Sequence, residues 1–60
     1  MRGNIKGARV AKGLTQTEVA KLMNLSKNAY NLKENGKRKF DEDEIKLLLS
    51  ILDKKFEELF

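Results

Sequence analysis

Apolar residues recur along this chain at helical spacing, and no stretch alternates as a half-buried strand would. Ile5, Ala8 and Arg9 fall on one face and predict a first helix of about ten residues that Gly13 ends. Gly3 and Gly7 work against it, since each costs roughly 1 kcal/mol relative to Ala in a helix interior. Residues 15–36, TQTEVAKLMNLSKNAYNLKENG, read as two short helices joined at Asn24 and Leu25. Thr15 and Glu18 have the spacing of a capping box, and Val19, Ala20 and Met23 then share one face. Ser26 starts the next helix, which spans roughly residues 27–35 and stops at Gly36. It turns Tyr30 inward and leaves Lys27, Asn28 and Asn31 outside. From Ile45 onward, Leu48, Leu49, Leu52, Phe56, Leu59 and Phe60 keep helical spacing with no Gly or Pro. Read alone, that is a single amphipathic helix of about twenty residues, ~30 Å long. Residues 1–4 read as a loose basic arm.

The helix starts share a second pattern. Leu14 before Thr15, Leu25 before Ser26 and Phe40 before Asp41 each have an apolar partner five positions on, at Val19, Tyr30 and Ile45. Each pair is a hydrophobic staple, which sets the angle at which the chain enters its helix. Asp41 and Glu44 form another candidate capping box, and Asp41, Glu42 and Asp43 suit the positive end of a helix. Two short helices joined by a tight turn, the second with a polar outer face, are the layout of a helix-turn-helix, whose second helix can enter a DNA major groove.

Arg9 lies on an otherwise apolar face, and a partly buried Arg needs a carboxylate. Residues 1–40 hold only Glu18 and Glu34, and Glu18 already serves its capping box, so Arg9 is expected to pair with Glu34.

Sixty residues with 40% hydrophobic content make one domain with one modest core, taken as residues 1–60. The absence of Cys and His removes disulfides, thiolate chemistry and the usual zinc sites, which suits a reducing cytoplasm. No signal peptide or membrane span is read: the longest apolar run is Leu47, Leu48 and Leu49, against the ~20 residues a bilayer requires. The net charge of +4 hides an asymmetry. Residues 1–40 carry ten Lys or Arg against two acidic residues, a surplus of eight positive charges, whereas residues 41–60 carry three basic and seven acidic residues. The basic surplus shares a half with the helix-turn-helix, which turns a generic lysine-rich surface into a candidate polyanion face. Catalysis lacks parts: there is no His, no Cys and no Gly-rich phosphate loop, and the acidic residues look solvated or capping.

The segment GLTQTEVAKLMNLSKNAYNLKENGKR resembles the helix-turn-helix of the phage repressor and Cro family, the lambda-repressor-like or XRE-type transcriptional regulators. The best matches are Gly13 to Gln16, Glu18 with Ala20, Ser26, the run Glu34, Asn35, Gly36, Lys37, Arg38, and the closing FEELF. The resemblance spans nearly the whole chain. It implies an all-α, five-helix lambda-repressor-like DNA-binding domain with a central helix-turn-helix, and so a break near residues 53–55 that periodicity does not show. By the same resemblance Gln16, with the free N–H groups opening its helix, contacts a phosphate. Asn35 and Lys37 contact another, and Lys27, Asn28 and Leu32 face base edges with Asn31 close by. Some relatives pair an Arg and a Glu at the places of Arg9 and Glu34.

Two residues depart from the pattern. Lys33 stands where many relatives bury an aliphatic residue, so its stem snorkels along the core or Phe40 fills the gap. Leu32 replaces a polar reader and either meets a thymine methyl or is plain surface. Asn28 is the candidate for direct readout, since a carboxamide can bond adenine N6 and N7 together; the plainer reading is a solvated or capping Asn near Ser26. Lys27 reads guanine or, more simply, neutralises phosphate, and Arg38 and Lys39 track the backbone or form an ordinary solvated loop. Phe56, Leu59 and Phe60 close the core or form a homodimer seam.

The expected function is that of a small phage or prophage repressor or Cro-like regulator binding a palindromic operator in double-stranded DNA as a dimer. Dimerisation is expected to be weak, or to occur only on DNA. No cofactor, metal or small-molecule ligand is expected. The rival expectation is a protein-binding module, antirepressor or antitoxin-like, that uses the same fold.

Overall fold

The computed structural model describes residues 4–60, and among them every regular element is a helix: α1 Asn4–Ala11, α2 Gln16–Leu22, α3 Lys27–Glu34, α4 Glu42–Leu52 and α5 Phe56–Leu59. The starts follow from the caps. Thr15 Oγ1 accepts from the Glu18 N–H at 3.1 Å while Glu18 accepts from the Thr15 N–H at 2.8 Å, and Asp41 and Glu44 repeat the exchange at 2.8 and 2.9 Å. Ser26 Oγ accepts from the Ala29 N–H at 3.0 Å. Each such cap supplies an acceptor to an otherwise unpaired amide and contributes about 1 kcal/mol. The expected arm falls mostly on residues 1–3, outside the described residues. Asn4 itself opens α1, and its Nδ2 donates to the Glu58 carbonyl at 3.4 Å, so α1 is eight residues long and begins inside the supposed arm.

Four helices end by one device. Gly13, Asn24, Gly36 and Asp53 take positive φ values of 75°, 59°, 80° and 56°. In each case the following N–H donates to the carbonyl five residues back: Leu14 to Arg9, Leu25 to Ala20, Lys37 to Leu32 and Lys54 to Leu49, at 2.8–3.1 Å. Only two of the four are Gly; Asn and Asp also tolerate the left-handed region. The last of these ends corrects the single twenty-residue helix that periodicity suggests. At Asp53 the chain turns back, as the family resemblance implied, and α5 packs against α1 with Leu59 only 1% exposed. A straight continuation would have carried Leu59 roughly 10 Å past Leu52, clear of the core.

The core is Ile5, Ala8, Val19, Ala20, Met23, Tyr30, Leu48, Leu52 and Leu59, with Leu14, Leu25 and Phe40 packed against it. Those last three are the first members of the expected staples, so the residues that set each entry angle also cover the core. Phe40 lies between two rings, 6.3 Å from Tyr30 and 6.1 Å edge-on from Phe60. Lys33 has a partner for its ammonium that neither sequence reading supplied. It is held by the Glu44 carboxylate at 2.6 and 2.7 Å, with 14% of the side chain exposed, so one glutamate caps α4 and ties α3 to it.

Candidate nucleic-acid interface

The helix-turn-helix is positioned from beneath by one buried carboxylate. Glu34, on the last turn of α3, accepts from Arg9 Nε at 2.8 Å, Arg9 Nη2 at 3.3 Å, Tyr30 Oη at 2.7 Å and Gln16 Nε2 at 3.0 Å. Arg9 Nη1 donates to the Leu14 carbonyl at 2.8 Å. Glu34 therefore joins α1, α2 and α3 at one point. Arg9 and Glu34 are each 7% exposed, and among the described residues no buried side-chain nitrogen or oxygen lacks a partner. A buried pair is tolerable only when its remaining hydrogen-bonding capacity is satisfied in this way.

Electrostatics follow the same geometry. Burial is the largest single influence on Glu34 and pushes its pKa up. The bonds from Arg9, Tyr30 and Gln16, with the Arg9 charge, outweigh it and leave the pKa below the ordinary glutamate range. The bond to Glu34 raises Arg9 further. Burial, reinforced by the Glu34 bond, pushes the Tyr30 hydroxyl up, so it stays a donor.

On the outer side, Lys27 and Asn28 are exposed on the first turn of α3, and Asn35, Lys37 and Arg38 are exposed after its end. Gln16, Thr17 and Lys27 border one shallow open hollow together with Lys6, which brings the start of α2 beside the start of α3. Leu32 is half-buried, and its carbonyl accepts from the Lys37 and Arg38 N–H groups at 2.9 and 3.2 Å. It thus anchors the basic loop by its backbone. Asn31 is not free on the outside as the sequence suggested. It is half-buried, its Nδ2 donates to Gln16 Oε1 at 3.1 Å, and its Oδ1 accepts from Asn35 Nδ2 at 3.2 Å. Gln16 is half-buried too, held between Glu34 and Asn31.

Sequence reasoning missed this set of amides and the Lys33–Glu44 pair. The spacing of Asn31 and Asn35, one helical turn apart, could have signalled their contact. Nothing local could have aimed Gln16 at Glu34, eighteen residues away.

The eight residues of α3 make a rod ~12 Å long. With side chains such a helix fits a major groove ~12 Å wide. Among the described residues no group of side chains could hold a metal ion, and no helix is long and apolar enough to cross a membrane. No curated protein and no solved structure matches the chain at a significant level. The profile of a family described as helix-turn-helix, a family of DNA-binding proteins and not of enzymes, does match, over residues 5–59. Five helices, the paired α2 and α3 and a match over nearly the whole sequence place the chain in that family: it is a Cro/C1-type, XRE-like helix-turn-helix protein, a DNA-binding regulator.

Proposed function

We propose that this regulator acts in the cytoplasm as a small phage or prophage repressor or Cro-like protein, binding a palindromic operator as a weak homodimer. The observation that carries the reading is the division of α3. Tyr30 and Glu34 lock one face to the core, while Lys27 and Asn28 stand exposed at the leading turn. In this reading Asn28 bonds adenine through its carboxamide, Lys27 neutralises phosphate, and Leu32 lies against the groove wall or a thymine methyl. Gln16, Asn35, Lys37 and Arg38 hold the backbone on either side. Two-fold symmetry would set half-sites about one turn apart, ~34 Å.

Enrichment of bound sequences from a random duplex pool at two salt concentrations tests it. A palindrome with one-turn spacing is expected. Strongly salt-dependent but unselective binding would mean that phosphate contacts exist without readout, and no binding at low salt would discard the operator reading. Against an enriched site, Asn28→Ala is expected to relax the base preference at one position by about 1 to 3 kcal/mol, while Gln16→Ala weakens all sequences alike. If both variants lost affinity with the preference unchanged, the docking of α3 would be wrong.

Phe56 and Phe60 stack at 5.1 Å and remain 52% and 39% exposed, a small apolar patch suited to a weak seam between protomers. Sedimentation equilibrium is expected to find monomer at nanomolar concentration, and a tight dimer there would contradict the weak seam. The same patch is what favours the second reading, a protein-binding module whose partner covers these two rings.

A further inference from the structure

The orientations of three carboxamides at the α2–α3 junction are dictated by one charge. An ionised carboxylate only accepts, so the end of Gln16 facing Glu34 Oε2 at 3.0 Å must be its NH2 group. Its oxygen then faces Asn31, which must present nitrogen, at 3.1 Å. The Asn31 oxygen in turn must meet nitrogen from Asn35, at 3.2 Å. Donation runs one way, from Asn35 to Asn31 to Gln16 to Glu34. Reversing any one amide would set oxygen against oxygen or nitrogen against nitrogen along the row.

We propose that Asn31 is a positioning residue, not a base reader, which fixes the side chains of Gln16 and Asn35 as paired phosphate donors by linking both to the buried Glu34–Arg9 centre. The proposal rests on the reading of Gln16 and Asn35 as phosphate contacts. Each carboxamide has two N–H groups and gives one to the row, so Gln16 and Asn35 each keep one donor. Phosphate oxygens accept only, and the fixed orientation therefore matches them. Bidentate bonding to adenine, by contrast, needs the oxygen and nitrogen of one side chain aimed together at one base edge, and those of Asn31 are aimed along the row at Asn35 and Gln16. The two phosphate contacts, at the start of α2 and just beyond α3, become one unit. Losing the middle amide loosens both ends at once.

The test has two arms. On duplex DNA selected by the wild type, Asn31→Ala and Gln16→Ala are each expected to weaken binding about three- to tenfold with base preference unchanged. The double variant should be clearly tighter than the product of the two single effects, because residues in one hydrogen-bond network couple. Multiplying effects, or a changed base preference for Asn31→Ala, would overturn the proposal. The second arm needs no DNA. In the free protein, side-chain amide exchange by NMR is expected to be slowed for one proton each of Gln16 and Asn35. Asn31→Asp has nearly the same shape, still accepts from Asn35 and cannot donate to Gln16. It should therefore keep Asn35 protected, whereas Asn31→Ala releases Asn35 and leaves Gln16 protected, because the Gln16 proton is held by Glu34. Equal release of both, or of neither, by Asn31→Ala would refute the one-way row, whereas a simple packing role predicts no such asymmetry. A wild type that binds no duplex DNA would remove the phosphate contacts and the positioning role with them. The NMR arm would then still show whether the row exists, so that failure of the function is told apart from failure of the relay.

Discussion

Glu34→Ala is expected to leave the domain largely unfolded at 25 °C. The substitution removes the acceptor for Arg9, Tyr30 and Gln16 at once and strands a guanidinium that is 7% exposed. Breaking a buried pair from one side costs about 3 to 5 kcal/mol, and a sixty-residue domain has roughly 3 to 9 kcal/mol of stability in all. Glu34→Gln keeps the shape and some of the bonds and should cost less. Replacing both charges, as in Arg9→Met with Glu34→Leu, should recover much of the loss, because no charge is then left buried without a partner. Circular dichroism melts and urea titrations measure this series. An alanine variant melting within a few degrees of wild type would show that the centre is not what joins α1, α2 and α3. The same pair sets an acid limb. The pKa of Glu34 is lower in the folded than in the unfolded chain, so its contribution is complete above the ordinary glutamate range and disappears as pH falls through and below it. Wild type should therefore lose more stability between pH 7 and pH 3 than Glu34→Gln does.

That centre was legible in the sequence because so few partners were available. One Arg on an apolar face and two acidic residues in the basic half, one of them already used in a cap, left a single pairing. Helix starts were legible for a similar reason, since a cap is a contact within four residues and Thr15, Ser26 and Asp41 carry it in their own side chains. Helix ends were harder to read. Gly13 and Gly36 advertise a left-handed residue and the turn at Asn24 was read from its place between two helices, but Asp53 takes the same conformation without advertising it. Asp53 in particular is imposed by tertiary packing: the apolar spacing of α4 and α5 is satisfied equally by a straight helix, and only the packing of α5 against α1, which buries Leu59, selects the bent one. The interface divides along the same line. Exposure of Lys27, Asn28, Lys37 and Arg38 follows from periodicity and from the loop after Gly36. The inward turn of Gln16 and the engagement of Asn31 depend on distances between helices, which no window of sequence contains.

Affinity for duplex DNA is expected to fall about a thousandfold between 50 and 200 mM salt. Neutralising a phosphate releases condensed counterions, so log K declines with log salt by about 0.9 for each contact. Lys27, Lys37 and Arg38, all exposed, are the cations that the proposed docking sets against phosphate, giving six contacts in a dimer and a slope of about −5. Lys37→Ala with Arg38→Ala removes four of the six and should bring the slope to about −2, so that the same change in salt costs only about tenfold. Folding should survive, because both side chains are exposed and the bonds they make to the Leu32 carbonyl come from their backbone N–H groups. Lys46→Ala with Lys54→Ala is the matched control. It removes the same charge from the acidic half, lowers the net charge of the protein equally, and should leave the slope where it was. Slopes measured by fluorescence anisotropy over that salt range separate the two cases. If both double variants lowered the slope alike, the protein's overall charge would be attracting the DNA, and the loop after α3 would have no contact of its own.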